Sequence, residues 1–387
     1  MNKIVRSAYG SQVEYREMTF EAIDGWKAWN DELASGIDLP PGMTKHDKVF
    51  HTCGSLSMTD GDTIPPIELA TIKSMEECGH KDTQLITTDR KHNQIAESIG
   101  LGFAMDPFQR KRRGKHNVGV LDYTGGMAVA DKACRFALHK ARKAGAYFVL
   151  EPSAGAFASF ITSPDGRIAG IVTKDGKQHQ ADLTIMACGG WTPALLPQLD
   201  GLCGLYGFPR DEDGYMKLGY RGTKYTNPQK QEDGKERSVP VTRWTEQEQL
   251  KQIPSQAMKV LKCFTDEYLP ELGEESIDIA LTRVCWYTDT FDNHFIIDHV
   301  PGREGSFVAT GGSGHAFKYL PNIGNWVVDV LEDFGMERPA IKAWKWRVVG
   351  DEMPANVLLE GAKRSRALPN VRLRTDDDMK TRVVAKL

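Results

Sequence analysis

The stretch GSFVATGGSGHAFKYLPNIGNWVVDVLE, from Gly305 to Glu332, decides how the fold is interpreted. It combines an apolar run typical of a strand, a glycine-rich turn with His315 and Lys318, and an apolar segment typical of a helix. Glycines between a strand and a helix allow the backbone to approach a phosphate or a flat ring. Dinucleotide-binding folds place such a turn at their start, so a turn this late in the chain needs its own explanation.

The composition is that of an ordinary globular chain. Its 387 residues, 40% apolar and 26% charged, suffice for two domains or for one large domain with an insertion. The net charge of -3 argues against a broad nucleic-acid-binding surface. The basic run from Arg110 to His116 is interpreted as a solvated loop, with a nucleic-acid contact or an import signal as the alternatives.

Targeting and redox signals limit the cellular compartments in which the protein is expected. No apolar stretch approaches the roughly 18 residues of a membrane span, so no membrane partner is expected. The N-terminus MNKIVRSAYG lacks the apolar region of a signal peptide, so secretion is not expected. The seven cysteines are scattered and never form a C-x-x-C pair, which suits a reducing compartment and predicts no metal site.

Apolar spacing and turn signals predict the secondary structure along the chain. Two hairpin turns, at 164–166 and 174–177, separate three strands. In one helix, Ala130, Cys134, Ala137 and Ala141 form the expected apolar face and Gly145 the C-cap. The predicted helices lie within 14–33, 66–79, 126–145 and 321–334, and the other strands within 2–10 (a strand or a loop), 146–150, 181–190, 206–209, 215–222, 285–289, 294–300 and 306–312.

Four clusters of residues carry chemistry. Cys285 to Thr288 lie on a predicted strand, where a lone cysteine is commonly part of a core. The turn from Gly311 to Lys318 is denser in glycine and cations than a plain turn requires. Lys217 lies in an apolar strand; taken alone it would point to solvent, whereas a buried lysine would be costly and hence functional. Lys3 and Arg6, taken alone, would be surface residues.

Together these clusters resemble the family of sarcosine oxidases and fructosyl amino acid oxidases, which are FAD-dependent amine oxidases. The fungal branch of saccharopine and pipecolate oxidases is the most similar part. The resemblance covers nearly the whole chain and rests on NKIVRSAYG, MACGGWTP, YGFPRDEDGYMKLGYRGTKYTNP, CWYTDTFDNHFIID and TGGSGHAFKYLPNIG, in the family's order. It implies an α/β fold: an FAD-binding doubly wound domain of the D-amino-acid-oxidase type, with an inserted α+β substrate domain built on a mixed sheet.

The resemblance also implies how the chain divides. The FAD-binding domain would comprise 1–50, 118–200 and 295–387, and the substrate-binding domain 51–117 and 204–294. The family's dinucleotide-binding βαβ start, with its Gly-x-Gly-x-x-Gly turn, is missing ahead of NKIVRS, and several dozen family residues are missing between Cys203 and Gly204. These departures favour, as the alternative, a truncated and inactive remnant that at most binds a partner.

The same resemblance implies catalytic roles. Lys217 matches the lysine beside the flavin on which activation of O2 depends, since a fixed cation in a dry site stabilises superoxide. Arg6 and Lys318 match the pair that clamps the substrate carboxylate and orients its α-carbon. The other residues expected to line the site are His315, Tyr287 and Tyr206.

Roles at the cofactor follow in the same way. Cys285 matches the cysteine whose sulfur is joined to the 8α-methyl of FAD, a reaction that needs a thiolate, and Lys3 would lie near the flavin. The late glycine turn would then serve the flavin end of the cofactor and not its pyrophosphate. The turn residues expected at FAD are Gly189, Gly190, Trp191, Gly311, Gly312, Gly314, His315 and Lys318.

The implied function is oxidation of the C–N bond of a secondary-amine amino acid, with O2 as acceptor, giving an imine and H2O2. Saccharopine, pipecolate, a fructosyl amino acid and an N-methyl amino acid stay open as substrates, and Lys217 disfavours a dehydrogenase that avoids O2. The final tripeptide Ala385-Lys386-Leu387 is a variant of the S-K-L peroxisomal address, so a peroxisomal enzyme is expected, and a cytoplasmic one otherwise. A monomer is expected.

Overall fold

The structure of the protein is a computed structural model that describes residues 2–10, 12–192, 205–220, 222–231, 233–242, 251–290, 292–347 and 365–380. The predicted gap at Cys203 and Gly204 and the predicted address Ala385-Lys386-Leu387 lie outside these residues. Within the described ranges, no helix has the length and apolar content of a membrane span.

The described elements alternate between helices and short strands. The helices are α1 (Val13–Ala34), α2 (Pro66–Glu77), α3 (Arg90–Ser98), α4 (Ala130–Lys143), α5 (Ser255–Tyr268), α6 (Glu271–Glu274), α7 (Ile323–Leu331) and α8 (Pro339–Trp344). The strands are β1 (Asn2–Val5), β2 (Phe50–His51), β3 (Ser55–Thr59), β4 (Gln84–Ile86), β5 (Val118–Asp122), β6 (Gly126–Val129), β7 (Phe157–Thr162), β8 (Ile168–Thr173), β9 (Gln178–Gln180), β10 (Thr184–Met186), β11 (Leu205–Phe208), β12 (Lys217–Tyr220), β13 (Pro228–Lys230), β14 (Glu236–Ser238), β15 (Ile296–His299) and β16 (Ser306–Thr310).

The first of two compact units comprises Met1–Phe148 and Ala316–Val328. Its strands form two antiparallel sheets, in the orders β1-β6-β2 and β3-β5-β4. Its core contains the buried face of α1, where Trp26 packs against Phe50 with ring centroids 6.3 Å apart. The second segment of the unit lies on the same helix, because Asn322 donates a hydrogen bond to the Met18 carbonyl at 3.0 Å.

The second unit comprises Val149–His315 and Asp329–Leu387. It contains the sheets β7-β8-β9 and β10-β16-β15 and the hairpins β11-β12 and β13-β14. β10 and β16 run parallel, with Met186 beside Val308, so their carboxyl ends meet at one edge of the sheet. The division of the chain into an FAD-binding and a substrate-binding domain stays a prediction.

Local sequence signals located several of the described elements. The helices predicted within 14–33, 66–79 and 321–334 are confirmed as α1, α2 and α7. The helix predicted within 126–145 is confirmed from Ala130 onward as α4, whereas its first four residues form β6. The two predicted hairpin turns join β7, β8 and β9, and their glycines, Gly166 and Gly176, have φ values of 88° and 83°. A turn that needs positive φ selects glycine, so these turns can be read from the sequence without tertiary information.

Two predicted strands are wrong. The segment 146–150 pairs with no described strand; α4 ends just before it, Gly145 turns the chain at φ 91°, and Tyr147 is 88% exposed. The segment 285–289 is irregular in the described chain, although it was expected to be a strand carrying Cys285. It is held by scattered contacts to turns, such as the hydrogen bond from the Trp286 indole to the Val241 carbonyl at 2.8 Å, and not by a ladder.

The predicted apolar face of α4 is also wrong in part. Ala130 is buried as expected, but Cys134 is exposed, and the other buried residues are Ala133 and Phe136. The Phe136 ring meets Trp29 of α1 edge-on with centroids 5.4 Å apart. Burying this large ring removes more apolar area from water than burying a cysteine, so Phe136 decides which face turns inward.

Candidate functional site

Two glycine turns of the second unit lie at the shared edge of β10 and β16. Gly189, with φ 52°, follows β10, and Gly311, with φ 72°, follows β16. The turns lie side by side, because Thr310 donates a hydrogen bond to the Thr192 hydroxyl at 2.9 Å. Open α/β sheets bind ligands beyond the carboxyl ends of their parallel strands, which makes this edge the candidate cofactor site.

The segment that contains Cys285 packs against both turns. Ser313 donates its backbone N–H to the Thr288 carbonyl at 2.9 Å, and Thr290 donates its N–H to the Ser313 hydroxyl at 3.1 Å. A Cβ built on Gly190 would lie 3.3 Å from the Cβ of Trp286. The structure therefore brings together three stretches that contain residues predicted at FAD: 189–191, the segment around Cys285, and 311–315.

Glycine is required at position 311 for two reasons. Its φ of 72° is unfavourable for residues with a Cβ. A Cβ built there would lie 2.7 Å from Cγ2 of Thr290, which is fully buried. In the same turn Gly314 has φ 72°, and the Gly312 carbonyl accepts the His315 N–H at 2.8 Å. The turn is thus shaped by its backbone, which packs closely against Thr290.

Two buried polar atoms in this site have no hydrogen-bond partner among the described residues. They are Oγ1 of Thr288 and Oδ1 of Asp289, on residues that are 6% and 5% exposed. The other oxygen of Asp289 is paired with the ammonium of Lys224. An unsatisfied buried polar atom costs about 1–3 kcal/mol, so two neighbouring ones point to a missing partner such as a ligand.

The predicted site residues around this edge differ in exposure. Cys285 and Tyr287 are half-buried, and Trp191 is exposed. The His315 ring stacks on Phe295 with centroids 4.9 Å apart, and its Nε2 lies 3.0 Å from the Asn293 carbonyl. Because a carbonyl only accepts, Nε2 carries a proton. His315 is therefore held in one orientation at the turn.

Lys217 and Tyr206 share one face of the hairpin β11-β12. Phe208 pairs with Lys217 and Tyr206 with Gly219 in the antiparallel register. The ammonium of Lys217 lies 5.0 Å from the ring centroid of Phe208 and 5.4 Å from that of Tyr206. A Cβ on Gly219 would overlap the Tyr206 ring, so this glycine lets the ring lie across the strand. Two aromatic faces thus hold the half-buried cation.

Lys318, Arg6 and Lys3 come together in the first unit. Lys318 is only 4% exposed, and its ammonium donates hydrogen bonds to the Tyr9 hydroxyl at 2.6 Å and to the Arg6 carbonyl at 3.4 Å. The Lys318 carbonyl accepts the Trp26 indole N–H at 2.7 Å. Lys3 lies 5.8 Å from the ring centroid of Phe317, and the Arg6 side chain is exposed.

Sequence reasoning missed two buried residues that shape this cluster. Asp122 accepts hydrogen bonds from the backbone N–H groups of Ser7 and Ala8 at 2.9 and 3.3 Å, which fixes the chain just after Arg6. Tyr9 contacts Lys318, and burial raises the pKa of Tyr9 to about 12. Tyr9 stands inside the motif NKIVRSAYG, but its partners are about 300 residues away and no local pattern marks them.

Comparisons with known proteins show which family and which enzymes the chain is similar to. The family model described as FAD dependent oxidoreductase (DAO) matches residues 2–330. L-saccharopine oxidase of Schizosaccharomyces pombe is 28% identical over 392 residues, which cover 90% of this chain and 83% of the relative. Peroxisomal sarcosine oxidase of Homo sapiens is 24% identical over 63% of this chain and 70% of the relative. N-methyl-L-tryptophan oxidase of Salmonella arizonae is 25% identical over 87% and 83%.

Solved structures show the same fold. A thermally stable mutant of fructosyl peptide oxidase superposes with a TM-score of 0.75 at 23% identity, over 97% of this chain and 88% of that one. The fructosamine oxidase Amadoriase II of Aspergillus fumigatus gives a TM-score of 0.65 at 21% identity, over 89% and 79%. The fold predicted from the motifs is therefore confirmed.

Proposed function

Because the chain belongs to the DAO family of FAD dependent oxidoreductases, we propose that it is an oxidase of a secondary-amine amino acid. FAD is its cofactor and O2 its electron acceptor, and the products are an imine and H2O2. The substrates named for three relatives, saccharopine, sarcosine and N-methyl-L-tryptophan, all carry a nitrogen bonded to two carbons, next to a carboxylate-bearing carbon. This shared chemistry supports the substrate class.

The observation that carries the proposal is the fit of the β10–β16 edge to a flavin. Thr288 and Asp289 offer a hydroxyl and a carboxylate oxygen without described partners, and an isoalloxazine ring has N–H and C=O groups along one edge that could bind them. Gly190 and Gly311 let the two turns pack closely against Trp286 and Thr290, which holds the Cys285 segment beside both turns. The two oxygens without described partners suit a flat polar ring.

Cys285 is the proposed covalent anchor of FAD. Cys285 would hold FAD through a bond from its sulfur to the 8α carbon, which would replace the thiol proton and one methyl hydrogen, with O2 taking up the two electrons released. Support comes from the resemblance to the family and from the position of Cys285 in the segment that packs against the two glycine turns. Lys3 is proposed to lie near the flavin.

The chain's own residues are proposed to bind the substrate and stabilise charge. Bound FAD supplies the acceptor for the two electrons that leave the amine. Arg6 and Lys318 hold the carboxylate, since a guanidinium and an ammonium both form short charge-assisted hydrogen bonds with it. Lys217 stabilises the negative charge that develops when O2 is reduced. The residues proposed to line the reacting groups are His315, Tyr287 and Tyr206.

Location and assembly complete the proposal. We propose a peroxisomal monomer, supported by the tripeptide Ala385-Lys386-Leu387 and by a human relative whose name includes that compartment. A fluorescent protein that carries the last ten residues should concentrate in peroxisomes, and replacing Lys386 by glutamate should disperse it. Diffuse fluorescence from the unchanged fusion would reject the location.

The first test of function is a denaturing gel of the purified whole chain, read for flavin fluorescence. We expect a fluorescent band that disappears in Cys285→Ser and persists in Cys263→Ser, a matched control on the exposed side of α5. The native protein should release H2O2 with at least one of sarcosine, L-pipecolate, L-saccharopine and N-methyl-L-tryptophan. A folded chain that retains no FAD and oxidises none of them would overturn the proposal.

A further inference from the structure

The buried surroundings of Lys318 contain an aromatic hydroxyl network that the family assignment does not explain. The Tyr9 hydroxyl accepts hydrogen bonds from the Lys318 ammonium at 2.6 Å and from the Tyr319 hydroxyl at 3.1 Å. Tyr319 itself accepts a hydrogen bond from Thr19 at 3.1 Å. The network therefore ties the ammonium to α1, whose buried face includes Tyr15 and Thr19.

Tyr9 contacts the lysine with its ring as well as its hydroxyl. The ammonium lies 4.4 Å from the ring centroid, within the range of a cation–π interaction. The Tyr9 and Tyr15 rings pack 5.7 Å apart, and the Tyr15 and Tyr319 rings 6.2 Å apart. Each ring is thus held by another, so the position of the Tyr9 oxygen is fixed from several sides.

One partner of this buried ammonium is a phenol, and the charge of a phenol differs from that of a carboxylate. A neutral phenol accepts a hydrogen bond from the ammonium and orients it, and it brings no negative charge of its own. Burial raises the pKa of Tyr9 to about 12, so the phenol stays neutral at physiological pH. Tyr9 therefore fixes the direction of the ammonium as a neutral acceptor.

We propose that Tyr9 is a positioning residue, which holds the Lys318 ammonium in the orientation that binds the substrate carboxylate. The inference rests on the proposed function, because it assumes a carboxylate substrate. Tyr9 need not touch the substrate; it acts through Lys318. Tyr319 supports Tyr9 from the far side of the network.

The test compares Tyr9→Phe with wild type, using the FAD-loaded whole chain. This change removes the hydroxyl and retains the ring. The probes are sarcosine and L-pipecolate, each as the free acid and as the methyl ester, which lacks the single carboxylate charge. Tyr123→Phe is the matched control, because Tyr123 is a half-buried tyrosine of the same unit that packs in a different cluster.

We expect Tyr9→Phe to raise KM for the free acid about tenfold, the loss typical of one hydrogen bond to a charged group, with kcat changed less than twofold. KM for the ester should stay unchanged, so the preference for acid over ester falls about tenfold. A purely structural role would change both KM values together. Equal changes for acid and ester, or no change in either, would overturn the inference.

Two further outcomes separate this inference from the proposed function. If the wild-type chain retains no FAD and oxidises none of sarcosine, L-pipecolate, L-saccharopine and N-methyl-L-tryptophan, the proposed function is overturned and the role of Tyr9 falls with it. If wild type is active but Tyr9→Phe does not fold, Tyr319→Phe decides the matter, because it leaves Tyr9 and Lys318 in place. It should lower the acid-over-ester preference by a smaller factor, and an unchanged preference would reject the network.

Discussion

Replacing Gly311 by alanine should damage the candidate cofactor site in a measurable way. The added Cβ would lie 2.7 Å from Thr290 Cγ2 and 3.2 Å from the Ile296 nitrogen. The positive φ costs an L residue about 1 kcal/mol, and overpacking a buried site costs about 1–3 kcal/mol more. Thr290 cannot move away easily, because its hydroxyl donates to the His294 carbonyl at 2.7 Å. We expect about 3 kcal/mol in total.

The control variant Gly176→Ala separates the cost of a positive φ from the cost of overpacking. Gly176 also has a positive φ, 83°, but nothing lies within 4 Å of a Cβ built there. This control should therefore lose only about 1 kcal/mol. At roughly 2–4 °C per kcal/mol, Gly311→Ala should melt roughly 4–8 °C below the control and retain less FAD per chain.

The assay is thermal unfolding of both variants beside wild type, with FAD content measured by absorbance. Adding Thr290→Ser to Gly311→Ala removes Cγ2 and retains the hydroxyl, so it should restore part of the lost melting temperature. If Gly311→Ala and Gly176→Ala melt together and bind equal FAD, the tight packing at position 311 is refuted.

Four further outcomes are expected. Lys217→Met should slow reoxidation of the reduced enzyme by O2 far more than its reduction by substrate in stopped-flow experiments; equal slowing of both steps would contradict the role of the cation. Arg6→Ala should raise KM for carboxylate substrates at least tenfold, whereas an unchanged KM would remove Arg6 from the clamp. In a Cys285→Ser background, Thr288→Val should weaken FAD binding about tenfold without lowering the melting temperature of the FAD-free chain, because the hydroxyl has no described partner there; unchanged FAD affinity would argue against this contact. The pKa of Asp47 is lowered, chiefly by the hydrogen bond from Lys132, so this pair should stabilise the fold fully above the unfolded carboxyl pKa of about 4 and lose that effect as pH falls through the lowered pKa of the folded state. Asp47→Asn should accordingly melt below wild type at pH 7, with a gap that shrinks steadily on acidification, and a gap that stays the same size on acidification would show that another interaction is responsible.

The sequence by itself determined the features that depend on neighbouring residues. Gly166 and Gly176 mark hairpin turns because only glycine adopts their positive φ cheaply, and the 3.6-residue spacing of apolar side chains marks α1. Long motifs such as TGGSGHAFKYLPNIG kept the family's order, so the family and its FAD dependence were confirmed by the comparisons. Such motifs carry both the turn geometry and the reactive residues in one stretch.

Only the tertiary structure decided which residues meet and which face turns inward. The buried side of α4 depends on Phe136 meeting Trp29 of another helix, and the segment around Cys285 depends on turns that follow separate strands. Tyr9 and Lys318 are 309 positions apart, yet their hydrogen bond decides how a buried ammonium is oriented. Secondary-structure propensity depends on residues that are close in sequence. Burial and hydrogen bonding depend also on residues far away in sequence that the fold brings within a few ångströms.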